Sequence, residues 1–223
     1  MVATATAARD VERVGPFTAT FARGIANPFL SFAIPDVNAE PTASDIDALT
    51  RAYRARDRTP RLEFIPALAP AVEPGLTRAG YAAEARVPLM IYDGAAVPPQ
   101  QEGVELIDAM SVDDVRAAAT AQHEAYGESE RPTDGWIVGQ MRAIGSGAVL
   151  LLARDLATGE PVGGGICTPP VAGASELAAI GVRSAYRRRG VAAAMTDRLA
   201  RTIGARGANC IYLTAAGEAE ARI

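Results

Sequence analysis

Three consecutive arginines, Arg187, Arg188 and Arg189, stand directly before Gly190 and the alanine-rich run Val191, Ala192, Ala193, Ala194, Met195. That run reads as the start of a helix. Ala192, Met195, Leu199 and Ile203 recur at spacings of three and four, and Arg206 and Gly207 supply a cation and a glycine stop. The first backbone N–H groups of a helix have no partners inside it, and its macrodipole places partial positive charge there, so each cation at that end costs about 0.3–1 kcal/mol. The arginines are electrostatically misplaced unless a polyanion binds. Open N–H groups, a glycine that lets the backbone come close and guanidinium groups at the periphery suit a pyrophosphate. The competing reading, a solvated basic turn, leaves the clustering at the wrong helix end unexplained. A Walker-type loop is absent, and Gly145-Ser146-Gly147 follows a predicted helix and enters a predicted strand, the wrong context for a dinucleotide fingerprint.

Stepping outward along the chain, an apolar strand over residues 177–182 leads into the arginine turn, and a second strand, Cys210–Thr214, follows the helix. Upstream, residues 104–107 read as a strand and Ser111-x-x-Asp114 as the cap of a helix ending near Glu124. A loop over residues 126–130 precedes a second helix over residues 133–144. Residues 148–154 and 161–168 are strand-like runs joined by a hairpin loop. In the N-terminal half, residues 17–22, 29–34 and 61–65 read as strands. Thr42 caps a helix carrying Ile46, Leu49 and Tyr53 on one face, a proline-broken helix ends at Gly80, and residues 83–92 form a strand or hairpin. Glycines and prolines at residues 94–103 mark a linker, giving an N-terminal lobe over residues 1–93 and a C-terminal domain over residues 104–223.

The ordered unit from Ser175 to Thr214, strand, turn, helix, strand, resembles the acetyl-coenzyme A binding core of the GNAT (Gcn5-related N-acetyltransferase) superfamily. The family consensus Arg/Gln-x-x-Gly-x-Gly/Ala is matched by Arg187, Gly190 and Ala192. The resemblance implies a mixed α/β fold of the GNAT-like acyl-CoA N-acyltransferase type in two lobes, the front one a degenerate partial GNAT-like unit. It implies acetyl-CoA as cosubstrate, no metal, and direct transfer of the acetyl group to a small-molecule or peptide amine. Cofactor contacts would come from Ile180, Gly181 and Val182 on the strand and from Arg187, Arg188, Arg189, Gly190, Val191 and Ala192 on the turn. A backbone N–H near residues 180–182 would face the thioester carbonyl. Glu176, at the head of that strand, is the candidate catalytic base, with a solvated strand-end acid as its alternative. Glu124, Tyr126 and Glu128 follow the first helix, where resembling proteins line the acceptor pocket, and would select a cationic substrate. Each alone also reads as a surface residue.

The family pattern breaks in two places. Between the second strand and first helix of the front lobe stands Asp36-Val37-Asn38-Ala39-Glu40-Pro41, acidic and without the arginine turn, so that lobe is expected not to bind coenzyme A but to act as a packing or specificity partner. After Thr214, residues 215–223 leave room for about two turns of helix at 1.5 Å per residue. The usual last helix, its thiolate-protonating tyrosine and the closing strands are missing. Three readings cover the strand edge thereby exposed: packing by the segment over residues 61–92, a truncated chain, or a homodimer that pairs the edge with its copy. Without the tyrosine acid the thiolate still leaves, at a loss of roughly 10²–10⁴ in rate; Tyr81, Tyr92 or Tyr126 would substitute for it if the lobes fold over the site.

Composition bounds the rest. The 223 residues suffice for one large domain or two small ones, and the net charge of −4, with no basic stripe outside residues 183–189, argues against a nucleic-acid partner. No apolar stretch is long enough for a membrane span and no leader is evident, so the expectation is a cytoplasmic protein without a membrane partner. Cys167 and Cys210 lack metal-ligand spacing and read as buried thiols, and the single histidine, His123, excludes a multi-histidine metal site. Two other functions stay open: a non-catalytic acyl-CoA binding or regulatory protein that retains the phosphate site, and a structural fragment without ligand.

Overall fold

The computed structural model describes residues 6, 9–23, 28–95, 102–215 and 217. Its contacts divide the chain into Met1–Arg86 and Val87–Ile223.

In the first unit, β1 (Asp10–Val14) and β2 (Phe17–Phe21) form an antiparallel hairpin around Gly15 and Pro16, and β3 (Ala33–Pro35) pairs with β2. The hairpin turns through Gly15 at φ 52°, the glycine-favouring region that a Gly-Pro pair announces; β1 itself has no strong apolar alternation and was not expected. Helix α1 (Ala43–Arg54) buries Ile46, Leu49 and Tyr53 against Phe17, and α2 (Val72–Arg78) follows. Three expected strands shrink. Residues 29–34 divide into a 3-10 turn, Pro28–Leu30, and the short β3, because Phe29 is exposed beneath the Arg61 guanidinium, 4.3 Å from its ring centre, and never enters the sheet. Residues 61–65 contribute only a bridge from Leu62 to Ala33. Of residues 83–92, only Leu89–Ile91 is a strand, and it belongs to the second unit.

The second unit is a six-stranded mixed sheet in the order β4-β9-β8-β7-β6-β5. Its strands are β4 (Leu89–Ile91), β5 (Val104–Asp108), β6 (Val149–Asp155), β7 (Pro161–Cys167), β8 (Ala174–Val182) and β9 (Cys210–Thr214). Neighbours are antiparallel except β8 and β9. Alternation along β6 explains the layering. Val149, Leu151 and Ala153 face α5 (Val191–Ala205), packing with Met195, Leu199 and Ile203. Leu150 and Leu152 face α3 (Val112–Ala125) and α4 (Asp134–Gly145), packing with Val115, Ala118 and Ile137. The edge of β9 away from β8 is covered by β4, Leu89 opposite Thr214. The chain therefore divides before Val87 rather than within the glycine- and proline-rich segment over residues 94–103, of which residues 96–101 lie outside the described residues, as do 216 and 218–223. Among the described residues no helix is long and apolar enough to cross a membrane.

The two cysteines part company. Cys210, at the first position of β9, is exposed, against the expectation of a buried thiol, because the strand enters the core only at Ile211. Cys167 is fully buried, its Sγ 3.0 Å from Ser175 Oγ, and burial pushes its thiol up to about 11. Since the folded value lies above the ordinary 9.0, this contribution to stability is intact below pH 9 and is lost as pH rises toward 11, by about 2–3 kcal/mol. Denaturant midpoints measured from pH 8 to 11 should fall more steeply for the parent than for Cys167→Ala; parallel curves would contradict this.

Candidate functional site

Among the described residues, three of the four longer helices close their own N-termini. Thr42 accepts from Asp45 N on α1, Ser111 from Asp114 N on α3 and Thr133 from Trp136 N on α4. Helix α5 opens instead on Gly190, with no side-chain cap. Its first amides, those of Val191, Ala192 and Ala193, meet no acceptor among the described residues. Gly190 has φ 75° and Arg188 φ 61°, so the turn crosses the left-handed region twice within three residues. The three arginines then take different directions. Arg188 is exposed and makes no ion pair among the described residues. Arg189 lies over the ring of Tyr186, 5.1 Å from its centre, while the Tyr186 hydroxyl donates to Asp155 at 2.9 Å. Arg187 departs from the expected phosphate clamp: its Nε donates to Val182 O at 3.0 Å and its Nη2 to Ala125 O at 2.6 Å. Ala125 O is one of the unpaired carbonyls at the C-terminal end of α3, where a cation is favoured by the helix dipole. Arg187 thus braces the turn against α3.

Strand β8 is nine residues long but pairs with β9 only from Ala174 to Glu176, so that, among the described residues, residues 177–182 have no strand neighbour on that side. Glu176 stands at the point of divergence, opposite Tyr212. By alternation it shares the face of Ala178, which is opposite Ile166 on the side that α3 covers. Between Ala178 and Gly181 the register with β7 slips by one residue, and Ala179 takes φ 51°. This bulge lets Leu177 and Val182, five positions apart, both face α5. It also tips two carbonyls toward α3: Gln122 Nε2 donates to Ala179 O at 2.7 Å and Tyr126 Oη to Ile180 O at 3.2 Å.

Glu124, Tyr126 and Glu128 do gather beside β8, but each is engaged within the protein. The Glu124 carboxylate pairs with Arg183 at 2.6 Å, and Glu128 with His123 Nδ1 at 2.8 Å. Tyr126 holds Ile180, and burial, with the Glu128 charge behind it, raises its hydroxyl above the ordinary range. The Glu124–Arg183 pair borders a solvent-open pocket of about 380 Å³ together with Glu160, Ser184, Ala185 and Tyr186, beside the arginine turn. Of the other tyrosines in this unit, Tyr92 donates to Asp197 at 2.6 Å and Tyr186 to Asp155.

The open N-terminus of α5 and residues 177–182 of β8 are the turn and strand on which the resemblance places the cofactor contacts. Residues 113–222 match the family model described as acetyltransferase (GNAT) family. Residues 113–222 are a GNAT acetyltransferase domain. The solved GCN5-related N-acetyltransferase from Kribbella flavida covers 100% of this chain and 85% of its own, with a TM-score of 0.76 and 22% identity. A second, from Sphaerobacter thermophilus, covers 89% of this chain and 67% of its own, with a TM-score of 0.61 and 19% identity. At those identities the likeness is one of fold. No protein of curated function matches the sequence.

Within the GNAT domain, two features escaped the sequence reading. Gly163, Gly164 and Gly165 run through the middle of β7, and a Cβ on Gly164 would stand 2.8 Å from Ala118 O and 3.0 Å from Gln122 Cγ. Glycine inside a strand signals close approach, here of α3 to the sheet. Gln122 was missed because nothing local marks a helical glutamine as the partner of a carbonyl 57 positions away. No group of three or more metal-ligating side chains occurs among the described residues.

Proposed function

We propose that this chain is an acetyl-CoA-dependent N-acetyltransferase, transferring acetyl directly to a small-molecule or peptide amine. The observation that carries the reading is α5, which among the described residues is the long helix left without a side-chain cap, set beside a strand that leaves its neighbour after Glu176. The fit for coenzyme A is good. Open amides at Val191, Ala192 and Ala193, a left-handed Gly190 and the exposed guanidiniums of Arg188 and Arg189 suit a pyrophosphate. Residues 177–182 offer strand-edge groups to an extended pantetheine arm. When bound, the cofactor supplies an activated acyl carbon. Ile180, Gly181 and Val182 would line it, and a preorganised backbone donor there is worth roughly 10²–10³ in rate.

An amine of pKa near 10 is mostly protonated at neutral pH and must lose a proton before attack. Glu176, on the α3 face at the divergence of β8 and β9, is the base in this reading. Tyr126, whose hydroxyl reaches Ile180 O on the splayed strand, is the tyrosine that would return a proton to the thiolate. The first unit offers no comparable anion site on its long helix: the N-terminus of α1 is closed by the Thr42–Asp45 capping box, and Asp36 is already paired with Arg13.

A second reading, an acyl-CoA-binding regulator without turnover, is favoured by the engagement of Glu124 with Arg183 and of Glu128 with His123 Nδ1. One experiment separates them. Calorimetry should show acetyl-CoA binding, and thiol release over an amine panel should show turnover that Glu176→Gln slows at least ten-fold with loss of the acidic limb of the pH profile. Binding without turnover on any amine would favour the regulator, no binding would remove both readings, and an unchanged profile in Glu176→Gln would remove it as base.

A further inference from the structure

Gln122 is only 3% exposed, yet its Oε1 has no hydrogen-bond partner among the described residues. A buried acceptor left unmade is costly, and leucine or methionine would fill the same space on α3 without it. What only an amide supplies there is the Nε2–H that reaches Ala179 O at 2.7 Å. Ala179 is the bulge residue, held at φ 51° without being glycine, a conformation that persists only when its surroundings enforce it. Ala179 and Ile180 stand outside the register with β7, so the ladder does not orient the peptide between them. In a planar trans peptide the carbonyl and the following N–H point in opposite directions. Fixing the Ala179 carbonyl toward α3 therefore fixes the Ile180 N–H away from it.

We propose that Gln122 is a positioning residue for acyl transfer: by holding the Ala179 carbonyl, it aims the Ile180 N–H at the oxygen of the reacting acyl group. This rests on the acetyltransferase reading above. Tyr126 supports the same geometry from the next carbonyl, Ile180 O. The pyrophosphate site lies on α5 and does not involve Gln122, so the effect belongs to the chemical step rather than to cofactor affinity.

The test compares the parent with Gln122→Met, which keeps the volume and removes the donor, and Gln122→Glu, which keeps the shape and sets carboxylate oxygens against the Ala179 carbonyl. Expected are a fall in kcat of about 10–100-fold for Q122M and a larger one for Q122E, with the calorimetric Kd for acetyl-CoA within about three-fold of the parent. A packing role predicts the reverse, Q122M close to the parent and kcat, Kd and Tm moving together. Q122M turning over within two-fold of the parent, or losing kcat only in step with affinity, overturns the proposal. Should Q122M melt below the assay temperature, Gln122→Leu gives the same comparison. A parent that binds acetyl-CoA but acetylates no amine fails differently, removing the acetyltransferase reading itself and this proposal with it.

Discussion

Gly190→Val should weaken acetyl-CoA binding by about ten-fold or more in calorimetry. Gly190 sits at φ 75° as the N-terminal cap of α5, a region where a β-branched side chain is strained by about 1–3 kcal/mol. The variant relieves that strain by rotating the turn, and the amides of Val191, Ala192 and Ala193 then no longer converge. Crowding of the backbone against a phosphate adds to the loss. The arginines provide the contrast. Arg188→Ala with Arg189→Ala should weaken binding less and flatten its salt dependence, because exposed guanidiniums act through screened attraction. Arg187→Ala should instead lower the melting temperature, since its side chain holds Val182 O and Ala125 O. Gly190→Val with a parental Kd would remove the pyrophosphate site from the turn before α5.

The second large effect falls on stability. Gly164→Val places a Cβ 2.8 Å from the Ala118 carbonyl, a backbone atom in the middle of α3 that cannot swing aside. Overpacking of this kind costs typically 1–3 kcal/mol and occasionally more. Here helix and sheet must part, so a loss of about 3 kcal/mol is expected, read as a lower denaturant midpoint at unchanged slope. Gly139, inside α4 with nothing within 4 Å of a built Cβ, is the control: Gly139→Ala should raise stability by up to about 1 kcal/mol. Equal midpoints for Gly164→Val and the parent would show that α3 does not depend on that contact. Because α3 carries Gln122 and Tyr126, any Gly164→Val protein that folds should also turn over more slowly.

Features with a short sequence range were legible before the fold was seen. The apolar spacing of α5, its stop at Gly207 and the caps Thr42 and Ser111 are interactions within one or two turns, so residue order alone specifies them. The arginine turn was legible for a related reason: cations at a helix N-terminus conflict with the local field, and the conflict can be read without knowing the neighbours. Short front-unit strands were overestimated because apolar runs such as Phe29 and Leu30 resemble strands whether or not a sheet receives them.

What the amino-acid order determined by itself was therefore the GNAT core of residues 175–214 and the arginine turn that opens α5. Tertiary structure alone decided which strand covers β9, where β8 bulges and which way each arginine turns. Pairing Leu89–Ile91 with Cys210–Thr214 joins segments more than a hundred residues apart, and no propensity encodes that register. Nothing in Ala178-Ala179-Ile180 announces a left-handed residue; the bulge exists because Leu177 and Val182 must both reach α5 while Gln122 takes the freed carbonyl. Arg187 looks identical to its two neighbours in sequence. Its distinct role follows from the end of α3 lying within reach of its guanidinium, a proximity that only the packed sheet creates.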